Sequence, residues 1–373
     1  MAWRSSVTIV RGIRSQRVEV GYQMIWRSSS LDRRKFIKLV VATGATASAT
    51  SLLDACGGVG SSPQDKSAFG PATTVHIGDT VARPNPELTA EDFFGKRLHD
   101  LTNGEYTLVV HPNSTLGSAT AMNDQVRAGT LQFVKSSSGN VTSYDKRLGI
   151  WNLPYAFTSD KQTFAAEDGK LGQAYGDILA QYDLKFLGMM DGGTRNIYNT
   201  KGPIKTPADL KALNPRIRTI TDPIYIATFT QLGAKPVPMD PAGIFGALQQ
   251  GVIDAAENNV PFYVAQHHNE IAHYFSWTKH SRSYDPFLVS MKWLNDQNKK
   301  SQDAIMQAAH ETITRERTLW VTGEKTAINE ATSSGTKFND ADVKAFQQAA
   351  QPVWEQYKAT FGSLYPLLQQ AIS

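Results

Sequence analysis

One cysteine, Cys56, stands among 373 residues. A lone thiol excludes an intramolecular disulfide and a multi-cysteine metal site. No nucleophile elbow, phosphate loop or dinucleotide fingerprint occurs in the chain, so the common local signatures of acyl transfer and nucleotide chemistry are missing. Charge is sparse at 19%, against 41% hydrophobic residues, a balance of globular rather than disordered chains. The formal charge of +4 sits in residues 1–56, where nine Lys/Arg face only Glu19, Asp32 and Asp54. The remainder holds 29 bases and 31 acids. That mildly acidic body argues against a nucleic-acid partner. The apolar stretch Leu39 to Leu53 is too short and too interrupted by Gly, Thr and Ser for a stable membrane span.

What is present begins with an address. Asp32-Arg33-Arg34-Lys35-Phe36-Ile37-Lys38 resembles a twin-arginine export motif, and the modest apolar stretch follows it. Leu53-Asp54-Ala55-Cys56-Gly57 then resembles a lipoprotein processing site, although Asp54 departs from the usual small or apolar residue. The expectation is export to the periplasm, with Cys56 as the lipidated first residue of the mature chain. Initiation at Met1, with a long basic region, or at Met24 both suit this order. Gly57, Gly58, Gly60, Ser61, Ser62 and Pro63 form a flexible tether.

Beyond the tether, short β-type runs alternate with amphipathic helical segments, the grammar of an α/β protein long enough for two domains. Strands are expected at Val75 to Gly78, at Tyr106 to Val110 as a buried strand, and at Leu131 to Val134. A polar loop, Ser136-Ser137-Ser138-Gly139-Asn140, follows the third strand, where ligands of open α/β sheets sit. Helices are expected over 87–102 and near 119–128. Thr206-Pro207-Ala208-Asp209 marks a helix start, Asp222-Pro223 another that Gly233 closes, and Asp240-Pro241 a third. Arg216 to Ile220, Val237 to Met239 and Val252 to Asp254 read as extended pieces. About 30 residues from Ser301 carry strong helix formers and no proline, predicting one overlong helix. Arg216 and Arg218 fall on one face of their strand, and alternation alone does not choose between them. His267, His268, His273 and His280 lie near one another in sequence. The spacing from His268 to His273 does not make an i,i+4 ligand pair, so a solvated or partly buried helix is expected instead of a metal site.

From Val75 to the C-terminus these segments resemble the substrate-binding subunits of TRAP transporters, the DctP-type family. The resemblance rests on Thr102-Asn103-Gly104, His111-Pro112 through Gly117, Arg127-Ala128-Gly129-Thr130 and Leu153-Pro154-Tyr155. Its most specific block runs from Asp209-Leu210-Lys211 through Arg216-Ile217-Arg218, Leu232-Gly233-Ala234 and Pro236 to Met239. That block continues through Ala247 to Asp254 and on to Glu257-Asn258. The resemblance implies a two-domain periplasmic-binding-protein-like clamshell with crossover connections and a long domain-spanning helix. The expected division is a leader over 1–56, a tether over 57–73, domain I over 74–192 plus 285–323, and domain II over 193–284 plus 324–373.

It further implies Arg218 as the bidentate partner of a ligand carboxylate, Arg195 as its support and Asn258 as a ligand hydrogen-bonding residue. Asn259 stands where the family usually has proline. Planar guanidinium forks suit carboxylates, which need charged donors once removed from water. Ser137, Ser138, Asn140 and Thr80 offer hydroxyls and an amide to a hydroxylated ligand. Glu257-Asn258-Asn259 with His280-Ser281-Arg282 and Asp285 resembles the subgroup that binds hexuronates, with Asp285 accepting from sugar hydroxyls and His280 or Arg282 ordering the loop. Pro241 replaces an aromatic found in some sialic-acid binders. The expected function is capture of a small organic acid for the membrane subunits of a transporter, with no cofactor and no nucleic acid. C4-dicarboxylate or 2-keto acid binding, an exported enzyme acting on sugar acids and a sensory module are the competing readings; arginine-based recognition without a poised acid/base pair favours binding over turnover.

Overall fold

The computed structural model describes residues 72–373. The leader, Cys56 and all but the end of the tether lie outside these residues. Nine strands form one mixed sheet: β1 Thr73–Gly78, β2 Tyr106–His111, β3 Phe133–Lys135, β4 Leu184–Asn199, β5 Arg216–Thr219, β6 Lys235–Pro238, β7 Ala255–Asn258, β8 Tyr274–Ser290 and β9 Lys337–Asp340. Their order is β2-β1-β3-β8-β4-β7-β5-β6, with β9 pairing β8.

The two long strands organise everything else. β4 and β8 pair antiparallel along their length, with register shifts between Phe186 and Gly188, Asp191 and Thr194, and Arg195 and Ile197. Parallel strands β1, β2 and β3 join at the Phe287 to Val289 end of β8. Parallel strands β5, β6 and β7 join at the Asn196 to Asn199 end of β4. The sheet therefore has two lobes on one ribbon, and the extra residues bend that ribbon between them. C-terminal ends of β1 and β3 face those of β5 and β7 across the bend, which sets the place for a ligand.

A helix of 35 residues, Lys299–Ser333, crosses the ribbon. It would be about 52 Å long at 1.5 Å per residue. Its buried Ala304, Ile305, Ala308, Thr312, Ile313, Glu316 and Trp320 recur at three- and four-residue spacing and so share one face. Ile313, with Phe94 of helix Pro86–Leu101, Phe133 and Phe287, belongs to one buried apolar cluster. Gly193 lies under Trp320 with φ +63°, and a Cβ there would come within 2.3 Å of the indole Nε1. Only glycine meets both demands.

Local signals hold in most places. Thr206 and Asp209 exchange reciprocal hydrogen bonds as a capping box on helix Pro207–Leu213. Asn85, unforeseen, caps helix Pro86–Leu101 by accepting from Glu87 N at 2.8 Å. Four expectations change. β2 is an edge strand with Val109 38% exposed, not a buried one, because nothing pairs its outer side. β3 begins at Phe133, two residues late. Val252 to Asp254 is a turn, and the strand starts at Ala255; Gly251 holds φ +65° and the Asp254 carboxylate instead binds Arg216. The histidine segment is a single 3-10 turn, His268–Glu270, with His268 buried against Tyr198 and Phe262. Among the described residues no helix is long and apolar enough to cross a membrane.

Candidate functional site

A polar cavity of about 40 Å³ lies between the lobes at the strand ends. It is lined by Thr80, Glu87, Lys135, Ser137, Asn140 and Asp285 on the β1–β3 side and by Arg195, Arg218, Asn258 and Ser283 on the other. Of the expected contact residues, Arg218, Arg195, Asn258, Ser137, Asn140, Thr80 and Asp285 meet there.

Two do not. The Ser138 side chain turns into its own lobe, its Oγ donating to Asn152 Oδ1 at 2.5 Å, because the expected loop tightens into the 3-10 turn Ser138–Val141. His280 is buried one layer behind the wall, with Nε2 3.3 Å from Glu257 Oε2 and Nδ1 3.0 Å from Thr278 Oγ1. Burial, above all, lowers its pKa despite Glu257. The β8 alternation that exposes Asp285 to the cavity leaves His280 behind it, beyond the ribbon's bend.

The geometry separates the two arginines of β5. Arg216, at the exposed start of the strand and 45% exposed in its side chain, forms a fork to Asp254 through Nε at 3.0 Å and Nη2 at 2.9 Å. Arg218 points inward and is 2% exposed. Its Nε donates to the Met239 carbonyl at 2.7 Å. Its Nη1 stands 3.8 Å from Glu257 Oε1, too far for a hydrogen bond. Neither terminal nitrogen has a hydrogen-bond partner among the described residues.

Arg195 is the opposite case. Nε and Nη2 fork onto Glu257 at 2.6 and 2.8 Å, Nη2 also reaches the Glu257 carbonyl, and Nη1 donates to Asn258 Oδ1 and Ser283 Oγ. All of its N–H groups are thereby engaged. Tyr225 lies under its guanidinium at 5.5 Å. Burial alone would raise the Glu257 carboxyl; Arg195 and His280 outweigh it and hold the group down at about 2. One carboxylate thus serves two guanidiniums, and the surplus positive charge falls on Arg218. Burial, the dominant influence on Arg218, disfavours its charged form, and Arg195 adds to that, yet an arginine keeps its proton.

Asn258 Oδ1 accepts from Arg195 and from Asn259 N, leaving the amide nitrogen for the cavity. Asn259 replaces the family proline by capping helix Val260–Ala265, its Oδ1 accepting from Phe262 N at 2.7 Å. Across the cavity Lys135 Nζ bridges Glu87 Oε2 at 3.1 Å and Asp79 Oδ1 at 3.2 Å. Lys135, Glu87 and Asp79 escaped the sequence reading. A lysine directly before Ser136-Ser137 and a glutamate in a helix first turn are ordinary locally, and only the fold joins them. Behind the site, Arg282 pairs with Asp191, whose backbone N–H donates to Glu316 Oε2 of the long helix at 3.2 Å.

Two lobes on a bent ribbon, closing a charged cavity at their strand ends, define a solute-binding clamshell. More narrowly, the chain belongs to the bacterial extracellular solute-binding proteins of family 7, the DctP family, whose pattern it matches over residues 77–360. It is 31% identical over 281 residues to the 2,3-diketo-L-gulonate-binding periplasmic protein YiaO of Escherichia coli K12, covering 74% of this chain and 84% of that one. Two crystal structures of TRAP periplasmic solute binding proteins superimpose on it with TM-scores of 0.77. One, from Roseobacter denitrificans with bound β-D-glucuronate, is 29% identical and covers 81% of this chain and 99% of its own. The other, from Sulfitobacter sp. NAS-14.1 with bound β-D-galacturonate, is 27% identical and covers 80% and 99%.

Proposed function

We propose that this protein captures a small sugar acid outside the cytoplasm, with Arg218 pairing to its carboxylate, and hands it to the membrane subunits of a TRAP transporter. The carrying observation is the Arg218 guanidinium, buried to 2% exposure with its terminal nitrogens unbonded. A buried cation without a matched anion costs several kcal/mol. A ligand carboxylate on that free edge relieves the cost and supplies two parallel charge-assisted bonds. Asn258 donates beside it, and Arg195 acts by holding Glu257 and Asn258 in place rather than by touching the acid.

Hexuronates lead the candidates, because relatives of the same fold hold glucuronate and galacturonate. The cavity of about 40 Å³ has room for only a few water molecules. A six-carbon acid enters as the lobes part and is held as they close, as in ligand-driven hinge closure. Export behind Arg33-Arg34 and lipidation at Cys56 complete the reading; mass spectrometry of the processed N-terminus tests the lipid.

Calorimetry with D-glucuronate and D-galacturonate tests the site. Arg218→Lys should weaken binding at least about tenfold, since a point charge replaces the fork, with the circular dichroism spectrum unchanged. Equal affinity in the variant would remove Arg218 from the site. Release of a product from either acid would replace transport by enzymatic turnover.

A further inference from the structure

The two ends of the cavity differ in charge, and that difference bears on which acids enter. At one end Arg218 carries the surplus positive charge described above. The other wall presents Glu87, Asp285 and Lys135, with Asp79 and Glu91 buried directly behind them. Four carboxyl groups there face a single cation. Lys135 is already shared between Glu87 and Asp79 at 3.1 and 3.2 Å, so its charge is claimed on both sides. Glu87 is 1% exposed, yet its Oε1 has no hydrogen-bond partner. Asp285 lines the same wall as Glu87.

Resting on Arg218 as the carboxylate partner, we infer that this site selects acids bearing one carboxylate and uncharged hydroxyls at the far end, and rejects dicarboxylates. Glu87 Oε1 is a buried acceptor waiting for a donor, and a sugar hydroxyl supplies one. A second carboxylate supplies none. It would place an anion against Glu87 in a region sealed from water, where like charges repel most strongly.

Burial first, and then Glu87, push the Asp285 carboxyl well above its ordinary range against the pull of Lys135. Burial and Asp79 do the same to Glu91. Glu87 and Asp79 already share the Lys135 ammonium, so the wall has no unmatched cation with which to receive a second carboxylate. Glu87 is therefore the residue that sets the charge class of the solute. The rejected class includes aldarates and C4-dicarboxylates.

The test is calorimetry on the full mature protein at pH 7.5 with matched acids. D-glucuronate, D-gluconate and D-erythronate carry one carboxylate; D-glucarate and tartrate carry two on the same carbon skeletons. The tightest monocarboxylate should bind at least about a hundredfold better than the tightest dicarboxylate. A ratio below about tenfold overturns the inference and leaves Arg218 in place. Binding by none of the acids overturns the Arg218 reading and this inference with it. Glu87→Gln should shrink the ratio by about tenfold, whereas Asp285→Asn, which replaces a carboxyl that already holds its proton, should leave it unchanged. An unchanged ratio in folded Glu87→Gln removes the selection from that residue.

Discussion

Single side chains in this protein are read best by asking which of their polar atoms are already spent. Arg195 spends every donor on the protein, whereas Arg218 spends one and faces the cavity. Asp222 shows the same logic with the sign reversed. One oxygen caps helix Pro223–Gln231 by accepting from Ile224 N and Tyr225 N, while Oδ2 has no partner. Burial pushes the carboxyl up from 3.8 to about 6 against those backbone bonds. The folded protein thus keeps a proton that the unfolded chain loses between those values. That contribution to stability is complete below 3.8 and is lost as pH rises through about 6. Asp222→Asn keeps the cap and removes the buried charge. Stability at pH 7.5 should rise by about 1–2 kcal/mol, seen as a higher urea midpoint with an unchanged slope. A midpoint that falls would show that the charge itself is needed.

Elements are joined here by contacts that local propensity does not encode. The long helix is legible as a helix from its formers and its periodic small residues, but its seat on the bulged ribbon depends on glycines that leave room for it. Gly193→Ala meets both the strain of φ +63° and a clash with Trp320 at 2.3 Å. It should destabilise by more than about 2 kcal/mol, measured by chemical denaturation. A loss under about 0.5 kcal/mol would mean that the ribbon and helix shift freely. The same bend is held by Arg282 on Asp191 and by Glu316 on the Asp191 backbone. The hexuronate-subgroup resemblance cast Arg282 as a loop-ordering residue, and the observed pair lies on the crossover ribbon itself.

For the whole molecule, buried histidines make acid stability a test of the packing. His268 is sealed between aromatic rings, and burial first, then Arg218 and His267, depress its pKa from 6.5 to about 3. The unfolded chain binds a proton below 6.5 that the folded protein refuses until about 3. Stability should therefore fall across that window as pH drops, by up to about 1.4 kcal/mol per unit for this group. Glu91, Asp285 and Glu316, raised by burial, act with the opposite sign. The histidine limb is read as the difference between wild type and His268→Gln in urea midpoints from pH 7 to 4. Parallel curves for the two would contradict a sealed neutral imidazole.

Sequence by itself determined the α/β class, the overlong helix, the capping box at Thr206, the acidic body and the inward arginine once the family register was recognised. These are local or periodic properties, carried by caps, turns and repeat spacing within one segment. Tertiary structure alone decided that β4 and β8 run through both lobes, that Asp254 claims Arg216, and that His280 and Ser138 stand behind the wall. It also assembled Lys135, Glu87 and Asp285, which are separated by 48 residues or more. Charge placement across a closed cavity depends on which distant strand ends meet, and a residue's own neighbours in sequence carry no energy that reports on that meeting.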